Sequence, residues 1–155
     1  MDLQIREGTP EDAATIAGFN TAIAMETERL RLDPATAAAG VRTLLGRPEL
    51  GRYMVAEADG QLVGQLMITY EWSDWRNGLC WWIQSVYVRP DWRRHGVFRA
   101  LYRHVEQLAQ ATPGVRGIRL YVEQANERAM AAYRDLGMRP SGHVVYEVDW
   151  APQHP

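Results

Sequence analysis

The chain has 155 residues, 46% of them hydrophobic, a formal net charge of −2 and one cysteine. That length suits one domain with a filled core, and the near-neutral charge argues against general nucleic-acid binding, which needs a strongly basic domain. No apolar run approaches the ~20 residues of a membrane span, no signal-peptide core opens the chain, and Cys80 alone forms no internal disulfide, so a cytoplasmic protein without membrane contact is expected.

Leu3–Glu7 reads as a first strand. Thr9, Pro10 and Asp12 then form a box-like helix start, and Ala13, Ile16, Ala17, Ile23 and Ala24 give the following helix its apolar stripe. Asp33-Pro34 repeats the start signal, with Val41, Leu44 and Leu45 facing inward. Asp59-Gly60 separates the strands Tyr53–Ala58 and Leu62–Tyr70, and Asn77-Gly78 separates the latter from Leu79–Val88, so three antiparallel strands arrive in sequence. A helix begins near Gly96, carries Val97, Leu101, Val105 and Leu108 at helical spacing, and ends near Thr112-Pro113-Gly114. The strand Ile118–Val122 follows. Strand, helix, strand is a right-handed crossover, which makes Leu79–Val88 and Ile118–Val122 parallel neighbours. Asn126 caps a last helix with Ala129, Ala132, Tyr133 and Leu136 on one face; Gly137 stops it, and Val144–Val148 makes a final strand. Residues 1–150 are expected to form one domain, with a loose tail over 151–155.

Two segments carry chemistry. In the first, an apolar strand ends at Arg89-Pro90, and Arg93, Arg94, His95 and Gly96 lead directly into a helix. A helix start offers unpaired N–H groups and positive dipole; glycine lets a ligand approach the backbone, and the arginines add charge. This suits a pyrophosphate-like anion, although arginine-rich turns also occur as plain solvated surface. There is no Gly-Lys-Ser/Thr of a P-loop, and one glycine does not make a dinucleotide fingerprint. In the second segment, Asn126 and Tyr133 lie two helical turns apart and face the same way. A capping Asn and a core Tyr would each explain themselves without function.

Together the two segments resemble the GNAT superfamily of acyl-CoA-dependent N-acetyltransferases. The family's pyrophosphate loop runs Arg or Gln, two residues, Gly, one residue, Gly or Ala; Arg93 and Gly96 match it, and Phe98 departs from it. Leu136-Gly137-Met138 matches the family's Leu-Gly-Phe-like helix end with Met for Phe. The resemblance implies an α/β (mixed α+β) fold: a central, mostly antiparallel twisted sheet with a splayed parallel strand pair, flanked by helices. It implies acetyl-CoA as cosubstrate, no metal, and pantetheine pairing with Val86 and Val88 like an extra strand. Arg93, Arg94, His95, Gly96, Val97 and Phe98 would hold the pyrophosphate, Asn126 would open the last helix beside the cofactor, and Tyr133 would meet the thioester sulfur as general acid.

The base is open. Some superfamily members place a Glu on the strand before the pyrophosphate loop, where Trp82 falls here. Glu26 and Glu28 lie where the family's acceptor site is walled, with a solvated helix face as the alternative; Glu71, Asp74, Ser85, Glu123 and a water chain are further candidates. Trp72, Trp75, Trp81, Trp82 and Trp92 fit a hairpin core, the surface of a homodimer, or an aromatic wall for a cationic acceptor. His95, His104, His143 and His154 show no metal-ligand spacing. The expected activity is acetyl transfer to an amine of a small molecule or an exposed peptide or protein. A non-catalytic acyl-CoA sensor is the alternative.

Overall fold

A computed structural model describes residues 2–151. Five strands form one sheet in the order β1 (Leu3–Glu7), β2 (Gly51–Ala58), β3 (Gln61–Ser73), β4 (Gly78–Val88) and β5 (Val115–Leu120). The first four pair antiparallel, and β4 and β5 pair parallel, as the crossover requires. The helices are α1 (Ala13–Glu28), α2 (Pro34–Gly46), α3 (Val97–Ala111) and α4 (Glu127–Asp135). This is the mixed, mostly antiparallel sheet with one parallel pair and flanking helices that the sequence implied.

The start signals act as read. Asp12 accepts from the Thr9 amide at 2.8 Å and grips Arg6 of β1 through both oxygens, at 2.8 and 3.0 Å. Asp33 caps α2 through the Thr36 amide at 2.9 Å, and Asn126 caps α4 through the Ala129 amide at 3.1 Å. Burial on both sheet faces divides the core. Tyr53 and Val55 of β2 face Ile16, Val41 and Leu44 of α1 and α2. Met54, Ala56 and Ala58 face Leu101 and Val105 of α3. At Gly64 a Cβ would lie 2.9 Å from the Tyr87 carbonyl oxygen and 3.1 Å from Val97, so α3 packs this closely only over glycine.

Three sequence expectations need correction. Asp59-Gly60 makes its two-residue turn with both φ positive, at 52° and 76°, but Asn77-Gly78 does not. Ser73 pairs with Gly78, so the loop is Asp74–Asn77, and only Asn77 is left-handed. Gly78 belongs to β4, where the Gly114 carbonyl and Arg116 leave no space for a side chain. The parallel strand runs from Val115 to Leu120 rather than from Ile118 to Val122, because the glycine turn at Gly114 starts the pairing earlier. The expected strand Val144–Val148 has its alternating residues but no ladder partner in this chain; Val144, Val145, Tyr146 and Val148 are exposed. Of the expected tail, residues 152–155 lie outside the described residues. No described helix is long and apolar enough to cross a membrane.

Candidate active site

The site begins with a strand that outruns its neighbour. Pairing of β4 with β5 ends at Ile83 and Leu120, whereas β4 continues to Val88. Ser85, Val86, Tyr87 and Val88 remain paired to β3 on one side only. A bulge opposite Met67 and Ile68 leaves Gln84 without a ladder partner, and bulges bend strands where sheets open. Beside this free edge a cleft of about 950 Å³ runs between α1, β4, the loop before α3, and α4.

At the loop, Arg94 and Gly96 both adopt left-handed conformations, with φ of 66° and 79°. Gly96 is the residue before α3, and the first helical bond runs from the Ala100 amide to its carbonyl at 3.0 Å. The amides of Val97, Phe98 and Arg99 therefore precede the helical ladder, and nothing lies within 4 Å of where a Gly96 side chain would start. Open space, free amides and two arginines fit a diphosphate.

Phe98, the departure from the family's loop pattern, is turned inward. Its ring meets Tyr102 at 6.4 Å and stands edge-on to Tyr133 at 5.8 Å, so the bulky group leaves its own amide at the first turn and supports the tyrosine instead. Tyr133 is half-buried, and desolvation pushes its hydroxyl above the ordinary value of 10.0. It keeps its proton through the neutral range.

Of the sequence-derived candidates, Glu26, Glu28, Val86, Val88, Arg93, Arg94, Gly96, Val97, Phe98, Asn126 and Tyr133 all line this one cleft. His95 does not; its Nδ1 lies 2.9 Å from the Arg93 carbonyl oxygen. Among the alternative bases Ser85 lines the cleft, whereas Glu71, Asp74 and Glu123 do not, and Glu71 holds Arg119 at 3.2 Å. The tryptophans disperse. Trp92 borders the cleft, Trp82 stacks on Tyr121 at 4.6 Å, Trp81 is buried, and Trp72 and Trp75 are exposed.

Two features carried no sequence signal. Arg93 donates to the Val88 carbonyl at 2.9 Å and to both oxygens of Glu26, at 2.8 and 3.1 Å. Gln65 of β3 is fully buried; its amide donates to Asn20 at 3.1 Å and reaches the Ser85 hydroxyl at 3.4 Å. Asn20 and Ser85 both line the cleft, so this polar group lies beneath its floor beside α1. Among the described residues no cluster of His, Cys, Asp or Glu forms a metal site.

A mixed sheet split between β4 and β5, with a glycine loop at the mouth and a tyrosine in the cleft, together with the chain's family match, is the scaffold of an acetyltransferase. The acetyltransferase (GNAT) family model matches residues 21–138, and the chain belongs to that family. A possible acetyltransferase from Clostridium difficile 630 is 41% identical, with a TM-score of 0.90 over 95% of this chain and 97% of that one. An integron cassette protein from the mobile metagenome of Cole Harbour Salt Marsh is 24% identical, with a TM-score of 0.84 over 96% and 91%. The aminoglycoside N-acetyltransferase AAC(6')-Iy, solved in complex with CoA, is 15% identical, with a TM-score of 0.79 over 97% and 96%, a likeness of fold. No curated protein matches the chain.

Proposed function

We propose that this protein transfers the acetyl group of acetyl-CoA to a primary amine that enters the cleft beside α1. The observation that carries the reading is the convergence, on one cleft, of an unpaired strand edge, a free-amide loop and a protonated tyrosine. Bound there, acetyl-CoA supplies an activated acyl carbonyl, which the amine nitrogen attacks as the carbon–sulfur bond breaks.

The chain's own residues would do the rest. Val86 and Val88 offer backbone groups to the pantetheine arm, while the amides after Gly96, with Arg93 and Arg94, take the diphosphate. Turning Arg93 fully to the diphosphate would take it from Glu26. Its departure frees a carboxylate on the acceptor wall, so cofactor binding prepares the side of the cleft that receives a cation. Tyr133 donates its proton to the departing sulfur. A thiol titrates near 8.5, below the raised tyrosine, so this transfer helps only modestly. The proton lost by the amine passes to Glu26, Glu28, or water held by Ser85 and Asn20.

Thiol release from acetyl-CoA against a panel of amines, with the product identified by mass, tests the reading. All 17 basic residues are arginine, so the chain offers no lysine amine as a competing acceptor. Binding of acetyl-CoA without transfer to any amine would leave the sensor in its place.

A further inference from the structure

Gln65 is a polar residue in an apolar place. It lies mid-strand in β3, opposite Val55 of β2 on one side and Tyr87 of β4 on the other, and all three are buried. Its nitrogen donates to Asn20 Oδ1 at 3.1 Å and reaches Ser85 Oγ at 3.4 Å, which commits both amide hydrogens. Its oxygen is buried without a hydrogen-bond partner among the described residues. Turning the amide end for end would only pass the missing bond to the nitrogen. A buried polar atom in this condition is a net cost to folding.

Packing does not call for this group. Ile16 and Ala17 already seat α1 on the sheet, and the Phe19 ring meets that of Tyr87 at 4.9 Å. An apolar side chain of equal length would fill the position with no orphaned oxygen. What Gln65 adds is a bridge between two polar groups of the cleft. Asn20 belongs to α1, the helix that carries Glu26. Ser85 is the first residue of β4 beyond the bulge, on the stretch that β5 no longer pairs. Gln65 therefore spans from the wall of the cleft to the point where the sheet opens. Accepting from Gln65 leaves Ser85 Oγ its own hydrogen and one lone pair, and a hydroxyl that accepts a bond donates more strongly.

We propose that Gln65 is a positioning residue for the acceptor: from beneath the floor it sets the Asn20 amide and the Ser85 hydroxyl in the orientation that receives the incoming amine. The inference rests on acetyl transfer in this cleft and adds that the acceptor's polar contacts are fixed from within the sheet. Gln65 itself does not line the cleft, so its effect falls on the acceptor and not on CoA.

Gln65→Met tests this, because it keeps the length and nearly the volume of the side chain while removing its polar atoms. The Tm should be no lower than that of the wild type, since the orphaned oxygen goes and Asn20 and Ser85 can turn to water in the cleft. With an amine that the wild type acetylates, kcat/KM for that amine should fall about tenfold, the loss of a positioned hydrogen bond, while CoA affinity by calorimetry stays the same. Ser85→Ala should cost a similar factor, and the double variant little more than either. Stability and activity then move apart, which a purely structural glutamine does not allow. The bridge is also visible without transfer. In nuclear magnetic resonance spectra the side-chain N–H signals of Gln65, identified by their loss in Gln65→Met, should exchange slowly with solvent and shift in Ser85→Ala. Stability and activity falling in step, unchanged acceptor kinetics, additive losses with Ser85→Ala, or rapidly exchanging Gln65 signals would overturn the role of Gln65. No transfer to any amine by the wild type would instead overturn the reading on which it rests.

Discussion

Arg93 and Glu26, 67 residues apart in the chain, close an ion pair at 2.8 Å that joins the loop before α3 to α1 across the cleft. Both side chains are about two-fifths exposed, so the pair is worth at most about 1 kcal/mol and opens easily. Glu26→Gln removes the competitor for Arg93. CoA should then bind about two- to fivefold tighter by calorimetry, the factor that such a weak pair converts to, while the acceptor's KM rises. No change in either quantity would take Glu26 out of both roles.

Phe98 supports Tyr133 edge-on, a contact worth about 0.5–1.5 kcal/mol beyond area burial. Phe98→Ala should therefore lower kcat several-fold with little change in CoA affinity. In a Tyr133→Phe background the same substitution should cost little more, because the hydroxyl it positions is already gone. Additive losses would mean that Phe98 acts only on the core.

At Gly96, φ is 79° and no atom crowds the site of a Cβ, so a valine there meets backbone strain rather than collision. Left-handed backbone costs a non-glycine residue about 1–2 kcal/mol, and thermal unfolding should show a loss of that size. The branched side chain would project into the loop's open space. CoA affinity should fall at least tenfold by calorimetry; undiminished affinity would move the diphosphate elsewhere.

Asp12 ties α1 to β1 through Arg6. The Arg6 guanidinium, helped by the Thr9 amide, holds its carboxyl below the usual carboxylate range against the opposing cost of burial. Its stabilisation is complete above the ordinary Asp value of 3.8 and is lost as pH falls through the lowered folded value. Asp12→Asn should cost about 1–3 kcal/mol at neutral pH, toward the lower end because Arg6 is 35% exposed. In denaturant titrations the gap from wild type should start to shrink below about pH 4, where the unfolded carboxylate gains its proton first, and should close once pH passes the lowered native value.

Local signals carried most of the fold. Thr9, Asp33 and Asn126 cap where their side chains permit, and Asp59-Gly60 turns as two left-handed residues must. That Arg93, Gly96, Asn126 and Tyr133 meet at one cleft was legible for the same reason, since each sits at a fixed offset from a helix start. Relations across the sheet were not legible. Glu26 reaches Arg93 only once α1 lies over β4, and the burial of Gln65 beneath Asn20 and Ser85 follows from packing that no spacing encodes. Val144–Val148 has the composition of a strand, but composition alone supplies no ladder partner, and none pairs with it among the described residues.

Acetyl transfer in the cleft, with Tyr133 as proton donor, is the reaction proposed. Its most direct test is single-turnover thiol release from acetyl-CoA with a good amine acceptor, comparing the wild type with Tyr133→Phe. The wild type should yield acetylated amine. The variant should bind CoA equally well but turn over about a hundredfold more slowly, the low end for general acid help because a thiolate leaves fairly well unaided. Equal rates in the two proteins would contradict the role of Tyr133, and binding of acetyl-CoA with no amine acetylated by the wild type would contradict the transfer itself.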